Sequence, residues 1–165
     1  MYDRKAVAFT GPSNSGKTTL IEKIARTLVN DRKVVIVKND PSDKAVFDTK
    51  GKDSDKFFKT GADVIVVSPV RTTMMSHSGS SMEEISRLFG DFDLMLVEGL
   101  KNLPLPRIGI FRGAIDKDYL DVIDAVAIDD TVDINKYEIP DEITLLNLND
   151  TDSIIDWIDR NATVM

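Results

Sequence analysis

The chain has no cysteine and a single histidine, His77. Disulfides, cysteine-held zinc and thiol nucleophiles are therefore excluded, and so are histidine-cluster metal sites. Basic charge is also short: 21 Lys and Arg stand against 28 Asp and Glu, a formal net charge of −7. No basic stripe exists to displace counterions from a phosphate backbone, which argues against a nucleic-acid partner. Long apolar runs are missing as well. The longest, such as Val64-Ile65-Val66-Val67, are far too short to span a bilayer, and the N-terminal run is too short for a signal-peptide core. The chain reads as cytoplasmic, with no membrane attachment. His77 sits in Ser76-His77-Ser78-Gly79-Ser80-Ser81, where a solvated loop residue is expected rather than a catalytic one.

What remains is ordinary globular material. With 165 residues, 42% hydrophobic and 30% charged, the chain fits one domain over 1–165 with a substantial core. Apolar runs alternate with amphipathic stretches, the α/β pattern of a mostly parallel twisted sheet flanked by helices. Strands are expected at about 4–10, 33–38, 63–68, 92–97, 107–112, 124–129 and 143–147. Val34 to Val37 and Val64 to Val67 are continuous and β-branched, as strands buried on both faces should be. Helices are expected at about 17–30, 53–60, 81–89 and 151–160. The third opens on a capping box, Ser81-Met82-Glu83-Glu84, and the fourth follows the cap candidates Asn149 and Asp150. Two stretches, about 39–52 and 69–80, are irregular and follow strands, so they should border a ligand.

The chemistry concentrates in Gly11-Pro12-Ser13-Asn14-Ser15-Gly16-Lys17-Thr18, directly after Ala6-Val7-Ala8-Phe9. This is the phosphate loop G-x-x-x-x-G-K-[ST] between a strand and a helix, the context the motif requires. Its backbone N–H groups cradle phosphates, Lys17 adds positive charge, and the Thr18 hydroxyl can bind Mg²⁺. A helix beginning at Lys17 and running through Thr19 aims its partly positive end at the same phosphates. The fold class is thus a P-loop NTPase that binds a purine nucleoside triphosphate. A second carboxylate should stand near the metal at the end of a neighbouring strand, and Glu98 ends Leu94-Met95-Leu96-Val97. Asp93, at the other end of that strand, reads as a turn residue.

Other assignments are less determined by pattern. Asp40, after the second strand, is a candidate to orient an attacking water, against an Asx-turn before Pro41. Lys52 is a candidate for an anionic ligand, against a solvated charge. Asn135-Lys136-Tyr137-Glu138 imitates a guanine-reading motif, but no long apolar strand precedes it. Asp129 is the better base reader, since a carboxylate there can accept from guanine N1 and N2 and leave adenine unsatisfied. Arg71, Arg107 and Arg112 are candidates for an arginine finger, each read as structural.

These residues together resemble the molybdopterin-guanine dinucleotide biosynthesis protein B family over nearly the whole chain. Beyond the loop Gly11 to Thr19, the similarity lies in Asp48-x-x-Gly51-Lys52-Asp53-Ser54, Gly61-Ala62-Asp63 and Ser68-Pro69. It continues in Leu96-Val97-Glu98-Gly99-Leu100-Lys101 and Pro104-Leu105-Pro106-Arg107-Ile108. The resemblance implies a dimeric GTP-binding protein with weak GTPase activity. It further implies assistance to the nucleotidyltransferase that joins GMP to molybdopterin. It carries over the phosphate loop and Glu98, with Lys52, Asp53, Pro104 and Pro106 as site or interface residues. Many relatives have histidines after the second strand where this chain has Asn39, Asp40, Pro41 and Ser42. The alternative reading is a small-molecule kinase using the same loop, which would need a lid of arginines where only Arg71 stands.

Overall fold

A computed structural model describes residues 3–165. They group into two compact units, one formed by the chain up to Asn39 together with Phe89–Met165, the other by Asp40–Leu88.

The first unit is built on a parallel sheet. Its strands are β1 (Lys5–Thr10), β2 (Val34–Lys38), β5 (Leu94–Glu98), β6 (Arg107–Phe111), β7 (Ala125–Ile128) and β8 (Thr144–Asn147), in spatial order β2-β5-β1-β6-β7-β8. A short β9 (Thr163–Val164), with no counterpart among the expected strands, pairs antiparallel with the start of β1. Ala6 to Phe9 at the sheet centre are wholly buried, because β1 has a strand on each side and packing on its faces. Helix α1 (Lys17–Leu28) presents Leu20, Ile21, Ile24 and Leu28 to one face of the sheet. Helix α4 (Thr151–Asn161) adds Ile154, Ile155, Trp157 and Ile158 to the same core. Trp157 is thus packing, and Asp150 caps α4 by accepting the Ser153 N–H at 3.0 Å. Phe111, Ile123 and Val126 belong to a second cluster, joined by Tyr119 from a 3-10 helix, Lys117–Val122. Asp93 ties the strand starts together, its Oδ2 accepting the Lys33 N–H at 2.7 Å.

The second unit holds α2 (Asp53–Phe58), the antiparallel pair β3 (Val64–Ser68) and β4 (Arg71–Met75), and most of α3 (Met82–Phe89). The capping box forms as the sequence predicts: Glu84 accepts from the Ser81 N–H and hydroxyl, each at 2.8 Å. Three expectations are corrected here. Val34 to Val37 do join the parallel sheet, but as its edge strand β2 they are not buried on both faces: Ile36 is 48% exposed. Residues 71–75 are a strand within the stretch read as irregular, turned back on β3 at Pro69 and Val70. Val64 to Val67 are not in the parallel sheet and are not buried on both faces: Ile65 is 62% and Val67 73% exposed. An uninterrupted β-branched run encodes strand, but which neighbours it acquires is decided by topology.

Candidate functional site

Parallel strands put their carboxyl ends at one edge, and there the loop after β1 lies between the ends of β5 and β6. Gly11 has φ +139°, and a Cβ built on it would stand 2.3 Å from the Ile110 carbonyl oxygen, so only glycine fits beside β6. Asn14 (φ +63°) and Gly16 (φ +101°) complete the curl. The Lys17 ammonium closes it, donating to the carbonyls of Gly11 at 2.8 Å and Pro12 at 2.6 Å. Gly16 caps α1 without a side-chain bond, and the first turn holds no acidic residue, so nothing within the helix offsets its positive end. The Ser15 hydroxyl is buried and has no protein hydrogen-bond partner. Ser13, Asn14, Gly16, Lys17, Thr18 and Thr19 share a cavity of about 470 Å³ with Glu98 and Arg112.

Glu98 stands in register with Phe9 of β1 on one side and Lys38 of β2 on the other. Its side chain is 13% exposed, and both oxygens lie 3.2 Å from the Lys38 ammonium. Burial pushes the Lys17 ammonium below its ordinary pKa; Glu98 opposes that shift, while Lys38 and Lys101 add to it. Thr18, with a hydroxyl, and Glu98, with a carboxylate, are the residues of this cavity that could hold a metal, and such hard oxygen donors suit Mg²⁺.

Residues 6–129 match the family model described as molybdopterin guanine dinucleotide synthesis protein B. The chain belongs to this family. It is 31% identical over 160 residues to the molybdopterin-guanine dinucleotide biosynthesis adapter protein of Haemophilus influenzae, covering 93% of this chain and 87% of that one. It is 28% identical over 130 residues to a probable adapter protein of the same description from Bacillus subtilis, covering 74% and 73%. The crystal structure of Bacillus subtilis MobB superposes with a TM-score of 0.71 over 96% of this chain and 98% of that one. At 17% identity, that superposition speaks for the fold, a P-loop NTPase sheet.

Within this MobB-family chain, the loop residues, Thr19 and Glu98 come together as the sequence predicts. Asp40 and Lys52 belong to the second unit. Asp40 closes its own turn, its Oδ2 accepting from the N–H groups of Lys44 at 2.8 Å and Ala45 at 2.7 Å. The exposed Lys52 is the residue that precedes α2. Asp129 follows β7, but its carboxylate already has partners: Oδ1 accepts from the Thr131 hydroxyl, and Oδ2 pairs with Arg112 Nε at 3.2 Å. Asn135 and Lys136 lie on one 3-10 turn and both turn to Asp133.

The arginines separate cleanly. Arg107 is 2% exposed and donates to the carbonyls of Leu100, Lys101 and Leu103, clamping the loop that follows Glu98. Arg71 lies on β4 in the second unit. Arg112 lines the phosphate-loop cavity. His77 stacks on Phe58, ring centroids 3.9 Å apart, and its Nε2 lies 2.9 Å from the Phe58 carbonyl. Sequence reasoning passed over Lys38 as a partner of Glu98. The available signal was position: each is the last residue of its strand, and parallel neighbours in register end together.

Proposed function

We propose that this chain binds GTP with Mg²⁺ at Gly11–Thr19 and hydrolyses it slowly. It does so as a cytoplasmic homodimer that assists the nucleotidyltransferase joining GMP to molybdopterin. The observation that carries the nucleotide reading is the single cavity in which the open end of α1, Lys17, Thr18 and Glu98 meet. The biosynthetic role rests on family membership and on relatives described as adapter proteins.

Loop N–H groups and Lys17 hold the phosphates and offset the charge that develops as the γ-phosphoryl group passes to water. Thr18 and Glu98 would hold Mg²⁺, which would supply positive charge against the phosphates when bound. Slow turnover accords with Glu98 lying against Lys38 and with Asp40 closing its own turn. The base lies toward the ends of β7 and β8, where Ile128, Asp129, Val132 and Asn147 border a cavity of about 410 Å³. The dimer is supported by the apolar, exposed β3–β4 pair.

Equilibrium binding and phosphate release with GTP and ATP, with and without the nucleotidyltransferase, test this reading. GTP preference and release slower than the partner's own turnover are expected. Lys17→Ala should weaken GTP about 10- to 100-fold, the loss of a charged hydrogen-bonding group. A preference for ATP, or rapid phosphoryl transfer to a small acceptor, would replace it with the kinase reading.

A further inference from the structure

The phosphate loop is flanked by two ion pairs of the same construction. On the β2–β5 side, Lys38 leans on Glu98; on the β6–β7 side, Arg112 leans on Asp129. In each pair the acid is 13% exposed and the base is much more open, 62% for Lys38 and 47% for Arg112. The register explains both. Lys38 and Glu98 are aligned strand ends, while Phe111 and Ile128 are aligned residues whose successors are Arg112 and Asp129.

Arg112 is the more elaborately held. Its guanidinium lies over Gly16: a Cβ on that glycine would stand 3.4 Å from Cζ, Nε and Nη2. Asp129 takes Nε, and its second oxygen is fixed by the Thr131 hydroxyl and by the Thr131 N–H at 3.1 Å. Thr131 in turn accepts the Gly113 N–H at 2.8 Å, which closes a ring through the residue next to Arg112. The Thr131 hydroxyl first, with Arg112 contributing, holds the Asp129 carboxyl below the usual carboxylate range. A permanently charged, planar fork held by one edge presents its other nitrogens to an anion.

We propose that Arg112 contacts the nucleotide phosphates in cis, and that Asp129 is its positioning residue rather than the reader of the base. This rests on the reading of Gly11–Thr19 as the nucleotide site. The surroundings favour it: Arg112 shares its cavity with Lys17, Thr18 and Asn14. The other arginines named from sequence are buried on carbonyls (Arg107) or placed in the second unit (Arg71).

Calorimetric titration of the full chain with GTP, GDP, XTP and guanosine decides the matter. Arg112→Gln should weaken GTP and GDP about 10- to 100-fold and leave guanosine unchanged. Arg112→Lys should recover only part of the loss, since a point charge replaces the fork. Asp129→Asn should weaken GTP and XTP by the same factor, and should add little to Arg112→Gln in the double variant. Unchanged GTP binding by Arg112→Gln would overturn the proposal. So would an Asp129→Asn variant that shifts preference from GTP toward XTP, the sign of base reading. Failure of the nucleotide reading looks different: the unaltered chain binds no nucleotide, or Lys17→Ala binds as well as it does, and both proposals fall. Unchanged thermal melting of Arg112→Lys separates loss of contact from loss of fold.

Discussion

Strands β1 and β3 invert the usual relation between sequence and burial. Ala6-Val7-Ala8-Phe9 in β1 is the less bulky run and is wholly buried. Val64-Ile65-Val66-Val67 in β3 is more hydrophobic at every position but the last, yet Ile65, Val66 and Val67 are 62%, 43% and 73% exposed. The difference is company. β1 has strands on both edges and the α1 and α4 core against one face, whereas β3 has one paired strand, β4, and the short helix α2 against it. An apolar run states a demand for burial; the first unit meets it from its own chain. A two-stranded pair is marginal by itself, and an exposed apolar sheet marks a surface that something covers. The proposed homodimer gives that something an identity.

Paired truncations test the contrast at its largest. Phe9→Ala should cost about 3–5 kcal/mol, because a large side chain leaves a closed, two-faced core. Val67→Ala should cost under about 0.5 kcal/mol in the isolated chain at low concentration, the usual effect of an exposed position. Urea unfolding measures both. Equal losses would show that β3 is packed within one chain after all, and the comparison would collapse.

Charging the same surface sharpens it. Ile65 and Val67 alternate with Val66 and so share a face of β3; Ile65 lies opposite Met74 of β4. The double change Ile65→Lys with Val67→Lys should abolish self-association in sedimentation equilibrium. GTP affinity should stay within about twofold, since surface changes away from a site are near neutral. A dimer that survives both lysines would move the interface elsewhere.

How much of this was legible beforehand follows the same division. The curl of the phosphate loop, the parallel sheet and the α3 capping box are local signals: each is carried by residues close in sequence, and each forms as the pattern predicts, with Glu98 placed at the end of β5 beside the loop. The hairpin was not legible in this way. β4 (Arg-Thr-Thr-Met-Met) has little of the apolar alternation that announces a strand, and only its pairing with β3 reveals it. Asp129 is a different case. Its place at a strand end was correctly found, but its partners, Arg112 and Thr131, depend on which strand lies beside β7. Arg112 was legible only as one of three candidate arginines, each read as structural; its place over Gly16, distant in sequence, comes from the β1–β6 pairing.

The smallest effect lies at the sheet end opposite the phosphate loop. Arg32, just past α1, holds Asp159 of α4 in a two-pronged ion pair, with Nη2 to Oδ2 at 2.8 Å. The Arg32 hydrogen bond first, then its charge, keeps the Asp159 carboxyl below the usual range, against the opposing effect of burial. A depressed folded pKa means stability that is fully present above the unfolded value, about 3.9, and lost as pH falls through the folded value. Side chains 34% and 41% exposed screen the pair, so Asp159→Asn should cost only about 0.5–1 kcal/mol at pH 7. That gap should close as pH falls below about 4, because both chains then lack the ion pair. The second unit's Asp55, Asp63 and Glu84 are also held low, by hydrogen bonds from Lys59, His77 and Ser81 within that unit. Melting temperatures of the two chains from pH 7 to pH 3 measure the gap. If it stays constant across that range, Asp159 acts through packing, and the charge-held edge of the first unit is as neutral as the surface of the second.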